Sequence, residues 1–251
     1  MAMGRVEDYL ARELQQGPLH FTLIDPDKSP GDRAAEIARS AVGFGSHAIL
    51  LGGSTGISRE KMGAAATAVK AHVSVPTIIF PEGPGSLAAE ADAVLFMSLL
   101  NSRRLDLVVR THARAALPIR SMHLEAIPMG YLVIAPGMRV GEVGEVDTVP
   151  RDDPVQAQGY ALAAEFLGMR FVYLEAGSGA PAPVPAEMVR AVRSVLRIPL
   201  IVGGGIRTGA DARTLLEAGA QILVTGTVTE EEGVGEAFQG ILREVNRARG
   251  R

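Results

Sequence analysis

The chain has 251 residues, 47% apolar and 4% aromatic, with 25 basic against 28 acidic side chains and a net charge of −3. That length and balance suit one large core, expected as a single domain over 1–251, and exclude a disordered or fibrous chain; charge spread evenly along the chain lacks the basic stripe that neutralises a phosphate backbone, so no nucleic-acid partner is expected. The absence of cysteine excludes disulfides, thiolate metal sites and cysteine nucleophiles, and suits a reducing, cytoplasmic setting.

The N-terminal MAMGRVEDYLARELQQ carries a charge every few residues, which predicts a helix rather than a signal peptide. Short apolar runs rich in Val, Ile and Leu follow at 21–24, 48–51, 77–80, 93–96, 131–135, 171–174, 200–202 and 222–224. Runs of this kind suit strands buried on both faces of a parallel sheet. Longer amphipathic stretches between them predict helices at about 33–44, 58–72, 102–116, 154–168, 185–197, 208–219 and 232–248. Eight strands with interleaved helices predict an α/β fold, a (β/α)8 TIM barrel. One unit is short: 81–92 contains PEGPG and has room for little more than two turns, so the third helix is expected to be reduced or replaced. Either the helix is merely trimmed, or the helical wall has a gap where a long apolar ligand lies. The Gly- and Glu-rich stretch 137–151 predicts a long loop after the fifth strand, on the face where barrels build active sites. No apolar run approaches the roughly 18 residues of a membrane span. A soluble protein without a transmembrane segment is expected, and contact with a membrane surface stays open.

The strand ends carry the chemistry. In PLIVGGGIRTGADARTLLEAGA an apolar strand runs into Gly203, Gly204 and Gly205, with Thr208 or Asp211 placed to start the next helix. QILVTGTVTE repeats the pattern with Gly226 and Thr227. A lone GGG is usually only a tight turn, but two Gly-rich ends after strands seven and eight predict a phosphate grip over 200–208 and 223–227, because glycines let backbone N–H groups approach an anion. The sixth strand ends in YLEAGSGAP, placing Glu175 where a carboxylate can take a proton from a substrate hydroxyl, with Ser178 beside it as a donor to phosphate. The first strand ends in LIDPDKSP, where Asp25, Asp27 and Lys28 suit a diphosphate and Mg2+, a metal that takes one or two carboxylates and fills its shell with water and phosphate oxygens. The second ends in LLGGSTG and offers Ser54 and Thr55 as hydroxyl ligands. His20, His47, His72, His112 and His123 show no metal-ligand spacing and are read as structural or exposed. The methionines fall mostly on apolar segments and read as core filler.

Taken together, LIDPDK, GGSTG, FMSLLNS, EAIPMGYLVIAPG, YALAAEFLGMRFVYLEAGSGAP, VGGGIRT and VTGT resemble the geranylgeranylglyceryl phosphate synthase family of archaeal prenyltransferases, in its longer second group, over roughly 21–227. The resemblance implies transfer of the geranylgeranyl group from geranylgeranyl diphosphate to the C3 hydroxyl of sn-glycerol 1-phosphate. It implies Asp25 and Ser54 as Mg2+ positions, and Tyr173, Leu174, Glu175, Ala176, Gly177, Ser178, Gly179, Gly204, Gly205, Gly226 and Thr227 as glycerol-phosphate contacts. Lys28 is assigned to the diphosphate. It further implies a prenyl groove where the third helix is missing, and a homo-oligomer, either a dimer or a hexamer. The chain departs from the family at Arg103 to Val109, which reads RRLDLVV where many relatives carry aromatics, and in having no tryptophan; both departures bear on subunit contacts. At this point other phosphate-binding barrels, a sugar-phosphate isomerase or an indole-glycerol-phosphate-synthase-like enzyme, remain alternatives. So do a non-catalytic phosphate- or lipid-binding barrel and a transferase with a longer prenyl donor.

Overall fold

The computed structural model describes residues 4–53, 56–228 and 234–250. Eight parallel strands close into a barrel in chain order: β1 (Leu19–Ile24), β2 (Ala48–Leu51), β3 (Thr77–Ile79), β4 (Ala93–Leu99), β5 (Glu125–Val133), β6 (Phe171–Glu175), β7 (Leu200–Gly203) and β8 (Ile222–Thr225). Closure comes from β8 pairing with β1, with Phe21 opposite Val224. The helices are α1 (Arg5–Leu14), α2 (Asp32–Gly43), α3 (Arg59–Lys70), α4 (Thr111–Ser121), α5 (Met138–Val143), α6 (Pro154–Phe166), α7 (Ala186–Val195), α8 (Gly209–Glu217) and α9 (Glu236–Ala248).

Strand alternation sends one set of side chains into the barrel and the other towards the helices. Phe21, Leu50, Ile78, Leu95, Met129, Tyr173 and Ile201 form the interior, whereas Leu174, Val202 and Leu223 pack under the outer helices. Each such side chain, removed from water, contributes about 1.5–3 kcal/mol, so the two shells hold the sheet from both sides. The outward face of β1 is polar at His20 and Thr22: buried His20 meets Thr225 Oγ1 at 2.9 Å and Ser46 Oγ at 3.2 Å, and its ring stands edge-on to Phe238 of α9.

Helix α1 covers the N-terminal end of the barrel with Val6 and Leu10. The Glu125 carboxylate anchors it, accepting the N–H groups of Val6 (2.7 Å) and Glu7 (2.8 Å) that a first helical turn leaves unpaired. At the C-terminal edge of the chain the fully covered Arg249 guanidinium pairs with Glu13 at 2.7 Å.

Between β3 and β4 the only helical turn is a 3-10 turn at Pro84–Ser86. Pro84 lacks an N–H and Gly83 and Gly85 flank it, so the segment cannot propagate a helix. Asp92 then accepts the Thr77 N–H (2.9 Å) and returns the chain directly to the sheet. The expected replacement of the third helix is therefore met. Three segments depart most from expectation. β5 begins at Glu125 rather than 131, because Pro128 and Gly130 break an apolar run without breaking a strand. The helix expected at 102–116 starts later, as a π-helical turn at Asp106–Arg110 that feeds α4, and ends later, at Ser121. The loop expected over 137–151 contains α5 and is held by bridges Ser102–Val146 and Ile134–Val149.

Candidate active site

Glu175 closes β6 at the C-terminal mouth and is 7% exposed. Its Oε1 accepts the Gly177 N–H at 2.6 Å and its Oε2 accepts the Tyr131 hydroxyl at 2.9 Å. The Tyr173 hydroxyl is a third donor to the same carboxylate. Burial raises the Glu175 carboxyl above the usual carboxylate range, and these three donors, Gly177 first, oppose that rise. Burial and the neighbouring Glu175 charge together hold both tyrosine hydroxyls well above their ordinary value. They therefore act as neutral donors, and the carboxylate keeps free lone pairs for a further proton donor.

Glycine makes this arrangement possible. A Cβ on Gly203 would collide with the Tyr173 hydroxyl, and one on Gly204 with Glu175 Oε1. Gly204 (φ +79°) and Gly205 (φ +69°) also occupy the left-handed region that side chains disfavour. Their N–H groups, with that of Gly179, have no acceptor among the described residues. Across the same rim Ser178 Oγ lies 3.0 Å from Thr227 Oγ1, tying the β6 end to the β8 end. Thr208 caps α8 in a reciprocal pair with Asp211, as expected, and so fixes where the β7 loop ends. Free N–H groups and hydroxyls on one rim suit a phosphate.

Asp25, at the opposite side of the mouth, is 8% exposed. Its Oδ1 accepts the Asp27 N–H at 2.9 Å, and the bare Gly53 leaves room beside Oδ2. Among the described residues no three His, Cys, Asp or Glu side chains converge as a metal cage. One buried carboxylate with an open flank instead fits Mg2+, which draws its remaining ligands from water and phosphate. Ser54 and Thr55 lie outside the described residues. Lys28 lines the cavity with Asp25. Asp27 does not join them: it turns outward and pairs with Lys61 of α3 at 2.6 Å.

A cavity of about 240 Å3 joins these parts. Asp25, Lys28, Glu175 and Ser178 line its polar end; Phe80, Leu95, Met97 and Leu99 carry it outward, and Leu87, Ala115 and Ile119 line the gap left by the missing helix. Two residues of the site carry no motif in the sequence. Tyr131 lies inside an apolar run, and only β5–β6 pairing, Tyr131 opposite Tyr173, reveals that its hydroxyl reaches Glu175. His112, read from the sequence as structural or exposed, is half-buried, packs edge-on against Phe96 with 4.5 Å between ring centres, and also lines the groove. Conversely, Leu174 and Ala176 face away from the mouth into the outer shell. The Ala176 N–H donates to Gly203 O and its carbonyl accepts from Gly137, so within the expected run 173–179 these two turn their side chains to the outer helices while Tyr173 and Glu175 face the barrel interior.

The model of the PcrB family matches residues 11–246. The geranylgeranylglyceryl phosphate synthase of Thermococcus gammatolerans is 47% identical, over 98% of each chain. The enzyme of the same name from Methanothermobacter marburgensis is 48% identical over 94% of this chain and 98% of its own. Among solved structures, (S)-3-O-geranylgeranylglyceryl phosphate synthase from Thermoplasma acidophilum in complex with substrate sn-glycerol-1-phosphate superposes with a TM-score of 0.93 at 46% identity, covering 98% of this chain and all of that one.

Proposed function

Because the chain belongs to the PcrB family, alongside the geranylgeranylglyceryl phosphate synthases, we propose that it transfers the geranylgeranyl group of geranylgeranyl diphosphate to the C3 hydroxyl of sn-glycerol 1-phosphate. Diphosphate leaves, and the product carries the first ether bond of an archaeal membrane lipid. The observation that carries this reading is the single cavity connecting the buried base and Asp25 to an apolar groove where the third helix is missing. A sugar-phosphate isomerase or an indole-glycerol-phosphate-synthase-like enzyme has no use for such a groove.

The glycine rim at Gly179, Gly204, Gly205 and Gly226, with Ser178 and Thr227, takes the acceptor's phosphate through backbone N–H groups and hydroxyls. This sets the glycerol over Glu175, which removes the C3 hydroxyl proton; its raised basicity and buried, tyrosine-braced position suit a general base. Asp25, with Ser54 expected from the sequence to share the task, would hold Mg2+, which neutralises charge on the departing diphosphate. Lys28 adds a second positive charge at that end. The groove side chains hold the prenyl tail so that its C1 faces the hydroxyl, and exclude water from the developing allylic cation.

The setting is the cytoplasm, in keeping with a cysteine-free chain; among the described residues no helix is long and apolar enough to cross a membrane. The working form is a homo-oligomer. Val155, Phe166 and Leu167 expose 73–79% of their surface on the outward side of α6 and its end, an apolar stripe of the sort that subunit contacts cover. Product analysis with sn-glycerol 1-phosphate and prenyl diphosphates of graded length tests the assignment. A Mg2+-dependent ether product with the twenty-carbon donor is expected, and no diphosphate release with any donor would contradict it.

A further inference from the structure

One cation at the mouth has no part in this scheme. Arg139 lies on α5, which covers the cavity between the ends of β5 and β6, and it lines the same cavity as Asp25 and Lys28. Among the described residues its guanidinium makes neither a hydrogen bond nor an ion pair. Neighbouring arginines are engaged: Arg103 faces Asp147 at 3.7 Å, and Arg104 faces Glu145 at 3.8 Å while donating to Val143 O at 3.2 Å.

The surroundings of Arg139 say which anion it meets. Of the acceptor's phosphate rim only Ser178 reaches this cavity, while Gly204, Gly205, Gly226 and Thr227 do not line it; Asp25 and Lys28, the diphosphate end, both do. Arg139 therefore belongs to the donor's end. A rigid fork of N–H groups on a planar cation matches two phosphate oxygens at once, which a lysine ammonium cannot.

The backbone holds α5 in place. Met138 (φ +48°) and Glu145 (φ +47°), both non-glycine residues in the left-handed region, bracket it. Gly177 permits its close seating, since a Cβ there would stand 2.6 Å from Met138 Cγ and 2.7 Å from the Gly137 carbonyl carbon. A helix fixed this tightly over the mouth presents Arg139 from the side opposite Asp25.

We propose that Arg139 is a diphosphate-binding residue, gripping the leaving group from α5 while Asp25 and Lys28 hold it from β1. The proposal rests on the prenyl diphosphate donor of the preceding section. Titration calorimetry on the full chain with Mg2+ present, using inorganic diphosphate and separately sn-glycerol 1-phosphate, tests it in Arg139→Ala and Arg139→Lys. The alanine variant is expected to bind diphosphate at least tenfold more weakly, about 1.4 kcal/mol, and the lysine variant about threefold more weakly. Affinity for sn-glycerol 1-phosphate should stay within about twofold in both, with an unchanged thermal midpoint, because Arg139 has no partner to lose. An unchanged diphosphate affinity, or a loss falling on sn-glycerol 1-phosphate, overturns the assignment. Failure of the wild-type protein to turn over both substrates would instead overturn the donor reading, and direct titration keeps the two outcomes apart.

Discussion

Replacing Gly204 by alanine probes the join between the phosphate rim and the base. The new methyl group would occupy the space of Glu175 Oε1 and stand 2.7 Å from the Gly177 nitrogen, at a backbone φ of +79°. Two costs follow. A side chain in the left-handed region costs roughly 1–2 kcal/mol, which at roughly 2–4 °C per kcal/mol for a chain of this size lowers Tm by about 2–8 °C. Displacing the carboxylate also breaks its 2.6 Å bond from Gly177, and misplacing a general base costs about 10²–10⁴ in kcat. Gly205→Ala is the matched control: its φ is +69°, but its Cβ would meet the Ala182 carbonyl (2.6 Å) rather than Glu175. Thermal melts and steady-state kinetics on both variants should show similar losses of Tm, a raised KM for sn-glycerol 1-phosphate in both, and a collapsed kcat in Gly204→Ala alone. Equal kcat values in the two variants would refute the placement of Glu175 as base.

Tyr131→Phe removes a hydroxyl that stabilises the charged form of Glu175. The carboxyl is then harder to ionise, and since a base must be deprotonated to act, the acid limb of kcat/KM moves to higher pH; a limb that stays or moves lower contradicts the assignment. Burial, with His47 adjacent, pushes the His20 imidazole down to about 3. The unfolded chain takes up this proton near 6.5 and the folded chain does not until about 3, so stability is intact above the higher value and falls as pH drops between them. The slope from this one group is up to about 1.4 kcal/mol per pH unit. Urea unfolding of His20→Gln between pH 7 and 4 should show a shallower decline than wild type, and an equal decline would place the acid sensitivity elsewhere.

The strand ends were readable because an apolar run gives way abruptly to glycine or to a charged side chain, and because two Gly-rich ends follow one another at β7 and β8, where a single one would have read as a tight turn. The position of Glu175 at the end of β6 and of the 200–208 and 223–227 segments at the ends of β7 and β8 follows from that rule, and the missing helix follows from PEGPG alone. Tyr131 was not readable: its role depends on the β5–β6 register, which no local pattern specifies, and Pro128 concealed where its strand begins. Asp27 misled for a related reason, since three charges in LIDPDK look alike in sequence, and only Lys61, 34 residues away, turns one of them outward. Strand alternation, applied residue by residue, separates Leu174 and Ala176 from Tyr173 and Glu175. The short helix α5 and its Arg139 lay hidden in a segment whose glycines argue against any helix.

Glu175→Gln removes the base while keeping size and most hydrogen-bonding capacity at the centre of the Tyr131, Tyr173 and Gly177 donors. Single-turnover and steady-state assays with sn-glycerol 1-phosphate and geranylgeranyl diphosphate should find kcat reduced by about 10²–10⁴, with KM for sn-glycerol 1-phosphate within about threefold of wild type because the rim that holds the phosphate is untouched. A variant that keeps its turnover, or loses affinity for the acceptor as much as it loses rate, would contradict proton removal by Glu175.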